Sequence, residues 1–216
     1  MPILYKNTDG VIIPEASCIH LQEYYKCVVE ADKIVKIETY LDQTLYGYTY
    51  HNWASQSHQE LLKQYYPTES TDLEFCIIDH LAYTNGFRLE SLFTYNNSQG
   101  QLLGKTISLF DPTNELVGHT SNVLESGTWN LVYHRKYYFD RSINPQSDLC
   151  SFSYEPETGK LVGFSISDPQ NFGDSCYSNS PEALQDLLDR TGMPENLLPY
   201  YLTGKIQPDF EVSSER

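Results

Sequence analysis

Leu45-Tyr46-Gly47-Tyr48-Thr49 is the first of four stretches that share the pattern Leu-x-Gly-x-Thr/Ser, and these stretches decide the fold. The other three are Leu102–Thr106, Leu116–Thr120 and Leu161–Ser165. A short polar run precedes each stretch, and before that run stands an aromatic residue: Tyr40, Tyr95, Phe110 or Tyr154. An aromatic strand, a polar turn and a returning strand are typical of a β-hairpin. The repeat therefore predicts a sheet built from hairpins.

The repeated glycines have a structural interpretation of their own. A glycine inside a strand usually marks a β-bulge, or a place where another side chain leans across the backbone. We interpret all four that way: Gly47, Gly104, Gly118 and Gly163. The 14 residues between Gly104 and Gly118 predict that these two lie on adjacent strands. Asn85-Gly86 is the strongest hairpin-turn signal in the chain, because both residues tolerate positive φ.

Two segments carry helix signals. Ser57-His-Gln-Glu60 reads as a capping box, and the following leucines would form the buried side of a helix that ends at Pro67. Ser180-Pro181-Glu182 gives an N-cap, a proline at the first helical position and a first-turn acid. Gly192 would end this second helix, and a short third helix is expected over residues 195–202.

These signals predict an α+β fold. It is a predominantly antiparallel, twisted β-sheet built from hairpin repeats, with one inserted helix and a C-terminal helical pair. We expect a single domain over residues 1–216, because 216 residues fit one large domain. The β-rich part covers 1–168, the helical segment 180–203 and a frayed tail 208–216, with a loop over 168–179.

The chain is strongly acidic. It has 29 Asp and Glu against 14 Lys and Arg, which gives a net charge of -15. This balance argues against binding to nucleic acid or to anionic membranes, since both need clustered cations. Residues 145–216 hold 12 acids and 4 bases, against 17 and 10 in residues 1–144. Two interpretations stay open for this acidic third: solubility, or a surface that attracts a basic partner.

The numbers of tyrosines and cysteines bear on the kind of surface that the protein has and on its expected cellular location. The 18 tyrosines suit half-exposed strand faces, or alternatively an aromatic binding surface. The five cysteines show neither a CxxC pair nor regular spacing, so they predict no disulfide framework and no zinc site. We find no signal-peptide pattern and no apolar run of transmembrane length. The expected location is cytoplasmic.

Residues that could carry chemistry are few. Cys76, Asp79 and His80 lie close together on a predicted buried strand, where core packing is the favoured interpretation. His51 and His58 are seven residues apart, a weak indication of a metal site. No nucleophile elbow, phosphate loop, dinucleotide fingerprint or calcium loop is present. The sequence therefore predicts no catalytic residue, no metal and no cofactor, and it indicates that the protein is not an enzyme.

The best candidates for a partner-binding surface lie in the acidic last third. Carboxylates in its expected turns and loops would be exposed, and aromatic residues are interspersed with them. The predicted partner-binding residues are Glu155, Glu157, Asp168, Phe172, Asp174 and Tyr177.

The aromatic, turn and Leu-x-Gly-x-Thr pattern over roughly residues 37–49 and 87–165 resembles the short YD-type and MORN-like β-hairpin repeats of bacterial polymorphic-toxin immunity proteins. The copies are irregularly spaced, and helices interrupt or follow them. The resemblance implies an acidic intracellular immunity protein, or antitoxin, that neutralises a basic toxin domain of the nuclease type. Two alternatives stay open: a small-ligand-binding β module and a hydrolase without a recognisable motif.

Overall fold

The computed structural model describes residues 1–65, 73–82, 86–96, 100–143, 148–168, 173–178 and 180–205. Thirteen strands are seen: β1 Ile3–Lys6, β2 Ile12–Ile13, β3 Glu23–Glu30, β4 Lys33–Leu41, β5 Thr44–Asn52, β6 Glu74–Ala82, β7 Arg88–Tyr95, β8 Leu102–Phe110, β9 Leu116–Glu125, β10 Thr128–Tyr138, β11 Cys150–Tyr154, β12 Leu161–Asp168 and β13 Gly173–Ser178. The α-helices are α1 His58–Tyr65, α2 Pro181–Thr191 and α3 Leu198–Tyr201, and 3₁₀ helices span Glu15–His20 and Glu195–Leu197.

The strands form one mixed, mostly antiparallel sheet in the order β13-β12-β11-β10-β9-β8-β7-β6-β5-β4-β3-β1-β2. Strands that follow each other in the chain are neighbours almost throughout, as hairpin repeats require. Gly104 on β8 and Gly118 on β9 lie on adjacent strands. The predicted α+β fold with its C-terminal helical pair is confirmed.

The pair β5 and β6 departs from the hairpin scheme, because these strands run parallel. Parallel neighbours need a long crossover connection, and α1 lies in the segment that joins them. Gly47 faces Glu74 across this pair, and a Cβ at Gly47 would lie 2.8 Å from the Glu74 carbonyl oxygen. A larger residue at position 47 would therefore force the two backbones apart.

The Leu-x-Gly pattern coincides with a β-bulge in both copies for which the register is known. Between β4 and β5 the partners step from Thr39↔Gly47 to Tyr40↔Leu45, which leaves Tyr46 as the extra residue. Between β11 and β12 the same step leaves Val162 unpaired. Both extra side chains are exposed, Tyr46 by 48% and Val162 by 61%. The bulge interpretation is confirmed for these two copies, and the residue between Leu and Gly is the one pushed out to solvent.

Both predicted helix starts are confirmed. The Glu60 amide donates to Ser57 Oγ, and Glu60 Oε2 accepts from the Ser57 amide, which is the reciprocal arrangement of a capping box. Ser180 Oγ caps α2 by accepting from the Ala183 amide. Gly192 ends α2 with φ of 62°, a left-handed conformation that favours glycine.

Contacts divide the chain into two compact units, each with its own apolar core. The first holds Met1–Leu81, Glu90–Lys105 and Leu124–Gly127, and α1 covers a core of Leu61, Phe75, Ile77 and Tyr95. In the second unit α2 and α3 pack on β11 and β12, around Phe152, Phe164, Leu187 and Tyr201. The predicted single domain stays a prediction.

Lys136 on β10 is fully buried in the second unit. Its ammonium donates to the carbonyl oxygens of Tyr200, at 2.5 Å, and Thr203, at 2.7 Å. It also lies 3.6 Å from the centroid of the Tyr200 ring. A buried ammonium is costly unless such acceptors surround it, so this lysine fixes the residues around α3 to the sheet.

One expectation was wrong. Part of the predicted loop 168–179 is strand β13, which pairs with β12 from Asp168↔Gly173 to Gly163↔Ser178. Its sequence lacks the apolar alternation that identifies a strand. β13 is the last strand in the sheet order, and the backbone hydrogen bonds that pair it with β12 do not depend on the type of its side chains. Several predicted features lie outside the described residues: Asn85 of the hairpin turn, Pro67, Phe172 and the tail 208–216.

Candidate functional site

Polar side chains gather where the parallel strands β5 and β6 end. Asn52 is the last residue of β5, and its partner across the pair is Asp79, near the end of β6. His58 is the first residue of α1. The carboxyl ends of parallel strands are where open sheets usually bind ligands. This cluster is therefore the first candidate functional site in the first unit.

Asp79 organises the side of the sheet that faces α1. Asn52 Nδ2 donates to Asp79 Oδ1 at 2.8 Å, and His58 Nε2 lies 3.0 Å from Asp79 Oδ2. His58 Nδ1 lies 2.5 Å from the Tyr95 hydroxyl. If the carboxylate accepts the Nε2 proton, Nδ1 is left as an acceptor and Tyr95 donates to it. The result is a chain of Asp79, His58 and Tyr95 that resembles a relay for activating a hydroxyl.

The exposure of the three side chains does not suit such a relay, because the hydroxyl that would be activated is the most buried group of the three. Tyr95 is 6% exposed, whereas the His58 and Asp79 side chains are 22% and 32% exposed. Burial raises the pKa of Tyr95 to about 12, with a further contribution from the charge of Asp79. The hydroxyl thus stays protonated at the buried end, where a substrate does not reach it. We conclude that this chain anchors the start of α1 to β6 and β7.

A second histidine pair lies on the opposite face of β6. His51 Nδ1 is 2.9 Å from His80 Nε2, and the ring of Trp53 stacks on His80 with centroids 3.7 Å apart. His80 Nδ1 is 3.2 Å from Glu90 Oε1, an ionic contact whose angle is not that of a hydrogen bond. The favoured arrangement has His51 donating to His80 and the His80 Nδ1 proton facing Glu90.

Burial controls the charge of His51. Chiefly through burial, with a smaller contribution from the nearby His80, the pKa of His51 is lowered to about 4. His51 is therefore neutral at pH 7, and its buried Nε2 has no hydrogen-bond partner among the described residues. The two histidine rings pack as an aromatic stack under Trp53.

The structure shows which of the residues that the sequence singled out lie together. It joins His58 to Asp79 and His51 to His80, but it places His51 and His58 on opposite faces of the sheet. Cys76 lies near Glu74 and Thr94, and burial raises its pKa to about 12, which suits a packed thiol. Within the described parts of the chain, no group of three His, Cys, Asp or Glu side chains could hold a metal.

Five of the six predicted partner-binding residues lie in the described hairpins at the β13 edge, and Phe172 lies outside the described residues. Glu155 and Glu157 are exposed in the turn between β11 and β12, where Glu155 accepts from the Thr158 hydroxyl. Asp168 ends β12, while Asp174 and Tyr177 lie in β13 rather than in the predicted loop. At about 3.3 Å per residue, β12 separates the two glutamates from Asp168 by roughly 23 Å. The acids thus lie at the two ends of β12.

The chain matches no protein-family model, no curated protein and no solved structure. Among its described helices, none is both long and apolar enough to cross a membrane. Function must therefore be argued from charge and geometry.

The basic and the acidic side chains of the described residues differ in how far they are exposed. Of the 14 Lys and Arg residues, nine contact an aromatic ring or a carboxylate of the same chain: Lys26, Lys33, Lys36, Arg88, Lys105, Arg135, Lys136, Arg141 and Arg190. Seven Lys and Arg side chains are exposed among the described residues, against twelve carboxylates: Asp9, Glu15, Glu30, Asp32, Asp42, Glu60, Glu125, Glu155, Glu157, Glu182, Asp189 and Glu195. What the protein presents to a partner is chiefly negative charge.

Proposed function

We propose that this protein is an acidic protein-binding protein that captures a basic partner. The observation that carries the proposal is the excess of exposed carboxylates over exposed Lys and Arg side chains in the described parts of the chain. Exposed charges of one sign raise the rate at which an oppositely charged protein associates, more than they raise its affinity.

The edge strand β13 gives the partner a place to dock. It is the last strand in the sheet order, with β12 as its neighbour. A partner strand that adds to such an edge gains main-chain hydrogen bonds, and charged side chains then set its identity. Asp168 and Asp174 lie at one end of this edge, and Glu155 and Glu157 lie at the far end of β12. Basic groups roughly one strand length apart would match them.

We further propose that the partner is a toxin domain of the nuclease type and that the chain acts as its immunity protein in the bacterial cytoplasm. The hairpin repeats support this through their resemblance to immunity proteins, and carboxylates can occupy the positions that nucleic-acid phosphates would take in a basic cleft. A hydrolase is less well supported, because the hydroxyl end of the Asp79–His58–Tyr95 chain is the buried end.

The first experiment is capture of the partner from the native host, followed by mass spectrometry and stopped-flow association of the purified pair. We expect association to slow steeply as salt rises, since exposed charges are screened. The combined variant Glu155→Lys, Glu157→Lys and Asp174→Lys should slow it further with little change in melting temperature.

The matched control makes the same charge change at exposed acids of the first unit: Asp9→Lys, Glu15→Lys and Glu30→Lys. This control should slow association much less than the reversal at the β13 edge. Equal effects would assign the attraction to net charge alone. Association that does not respond to salt would contradict the proposal altogether.

A further inference from the structure

A cationic cluster lies on the first unit's sheet, on the face that α1 covers. Lys26, Glu38 and Tyr48 are direct partners across β3, β4 and β5, and Lys36 follows in the next row as the partner of Tyr50. We call Lys26, Glu38 and Lys36 the lysine–glutamate triad. Tyr50 stacks on Tyr65 of α1 with centroids 4.0 Å apart, so the triad lies beside that helix.

The other side of the triad is bounded by the 3₁₀ helix Glu15–His20. Tyr5 is the β1 partner of Lys26, and its hydroxyl donates to Glu15 at 2.6 Å. The Tyr24 and Tyr40 rings stack nearly parallel, 4.9 Å apart, in the row beyond the triad. The triad therefore forms the floor between two helices, with tyrosine rings around it.

Two ammonium groups share one carboxylate in this triad. Lys26 Nζ lies 3.0 Å from Glu38 Oε2, and Lys36 Nζ lies 2.9 Å from Glu38 Oε1. Burial alone would raise the pKa of Glu38, but the hydrogen bonds from the two lysines outweigh it and hold the pKa below its usual value. The Glu38 carboxylate therefore stays ionised at pH 7, and two lysines against one glutamate give the triad a formal charge of +1.

The carboxylate is nearly saturated, while the ammonium groups are not. A carboxylate accepts about four hydrogen bonds, and the two lysines and the Tyr40 hydroxyl supply three donors to Glu38. Each ammonium has three donors, and one of each is directed to Glu38. The lysine side chains are 28% exposed and Glu38 is 14% exposed. Both lysines of the triad are thus more exposed than the carboxylate that they share.

We propose that Lys26 and Lys36 together bind an oxyanion, a phosphate or carboxylate group of a small ligand, above Glu38. Charge-assisted hydrogen bonds from two ammonium groups are the usual means of holding such an anion. The partly exposed rings of Tyr40 and of Tyr48, which lies 4.2 Å from Lys36 Nζ, provide apolar surface for the rest of the ligand. This site does not depend on the acidic surface that is proposed to bind a protein.

The test is a titration of the full chain at low salt, followed by NMR of the lysine ammonium groups and of the backbone amides of β3 to β5. Inorganic phosphate and acetate are titrated separately, which distinguishes a phosphate from a carboxylate ligand. We expect saturable shifts that centre on Lys26 and Lys36 for at least one of the two anions. Shifts that are linear in anion concentration, or spread over all lysines, would overturn the proposal.

The glutamate variant and the lysine variants should change anion affinity in opposite directions, which a merely structural triad would not produce. Glu38→Gln removes the competing charge, so the preferred anion should bind about tenfold more tightly. Lys26→Met and Lys36→Met should each weaken binding by about tenfold, while Lys63→Met, an exposed lysine of α1, should leave it unchanged. The Glu38→Gln result stands even if a lysine variant fails to fold. Unchanged or weaker anion binding by folded Glu38→Gln would refute the site.

Discussion

Replacing Gly47 by alanine tests why the repeated pattern contains a glycine. A Cβ at position 47 would lie 2.8 Å from the Glu74 carbonyl oxygen and 3.1 Å from the Glu74 Cβ. Both neighbours belong to the adjacent parallel strand, so the backbones of β5 and β6 must separate to admit the methyl group. Such overpacking costs about 1–3 kcal/mol, and the 2.8 Å contact with a backbone atom places this substitution in the upper part of that range, at about 2–3 kcal/mol. Alanine recovers roughly 0.5–1 kcal/mol by restricting the unfolded chain, which leaves a net loss of about 1–2 kcal/mol.

For a chain of this size that loss lowers the melting temperature by roughly 2–8 °C. Thermal unfolding followed by circular dichroism, together with urea denaturation, measures it directly. Tyr46→Ala is the control, because Tyr46 is the exposed residue of the same bulge. We expect Tyr46→Ala to change stability by less than about 0.5 kcal/mol. A Gly47→Ala protein as stable as the wild type would show that the close approach to Glu74 is not what requires the glycine.

Two further predictions concern buried polar groups. Tyr154→Phe removes the hydroxyl that donates to the Tyr201 carbonyl oxygen at 2.6 Å in a buried setting, so urea denaturation should show a loss of about 1–3 kcal/mol; wild-type stability would contradict this. Burial, with the charge of Lys136, lowers the pKa of His134 to about 4, below its unfolded value of about 6.5. The unfolded chain therefore takes up a proton first, and stability should fall between pH 6.5 and pH 4 by up to about 3 kcal/mol from this residue. His134→Gln should flatten that part of the stability profile, and an equally steep profile in the variant would refute the assignment.

Local signals in the sequence predicted much of the fold. The caps at Ser57 and Ser180 depend on neighbouring residues only, and so do the aromatic-turn-glycine hairpins. The parallel pairing of β5 with β6 could not be predicted in the same way. It depends on where α1 returns the chain, and the apolar, β-leaning run over residues 73–83 is compatible with either direction of pairing.

The candidate site was harder to predict than the fold. Asn52 and Asp79 are 27 residues apart, and the parallel pairing alone makes them partners. Sequence reasoning did consider His51, His58, Asp79 and His80, but it could not say which pairs would form. The lysine–glutamate triad was missed, because the apolar residues around Lys26 fit neither a strand period nor a helix period. Without a predicted strand there, no register could bring Lys26 beside Glu38.

The buried ammonium of Lys136 has a consequence for the order in which the protein is made. Its carbonyl acceptors belong to Tyr200 and Thr203, more than sixty positions later in the chain. While the ribosome is still synthesising or enclosing those residues, Lys136 on β10 lacks the two carbonyl oxygens that accept its hydrogen bonds in the native structure. The second unit should therefore reach its native packing only after Thr203 has emerged, and nascent chains arrested before that point should be more sensitive to protease around β10.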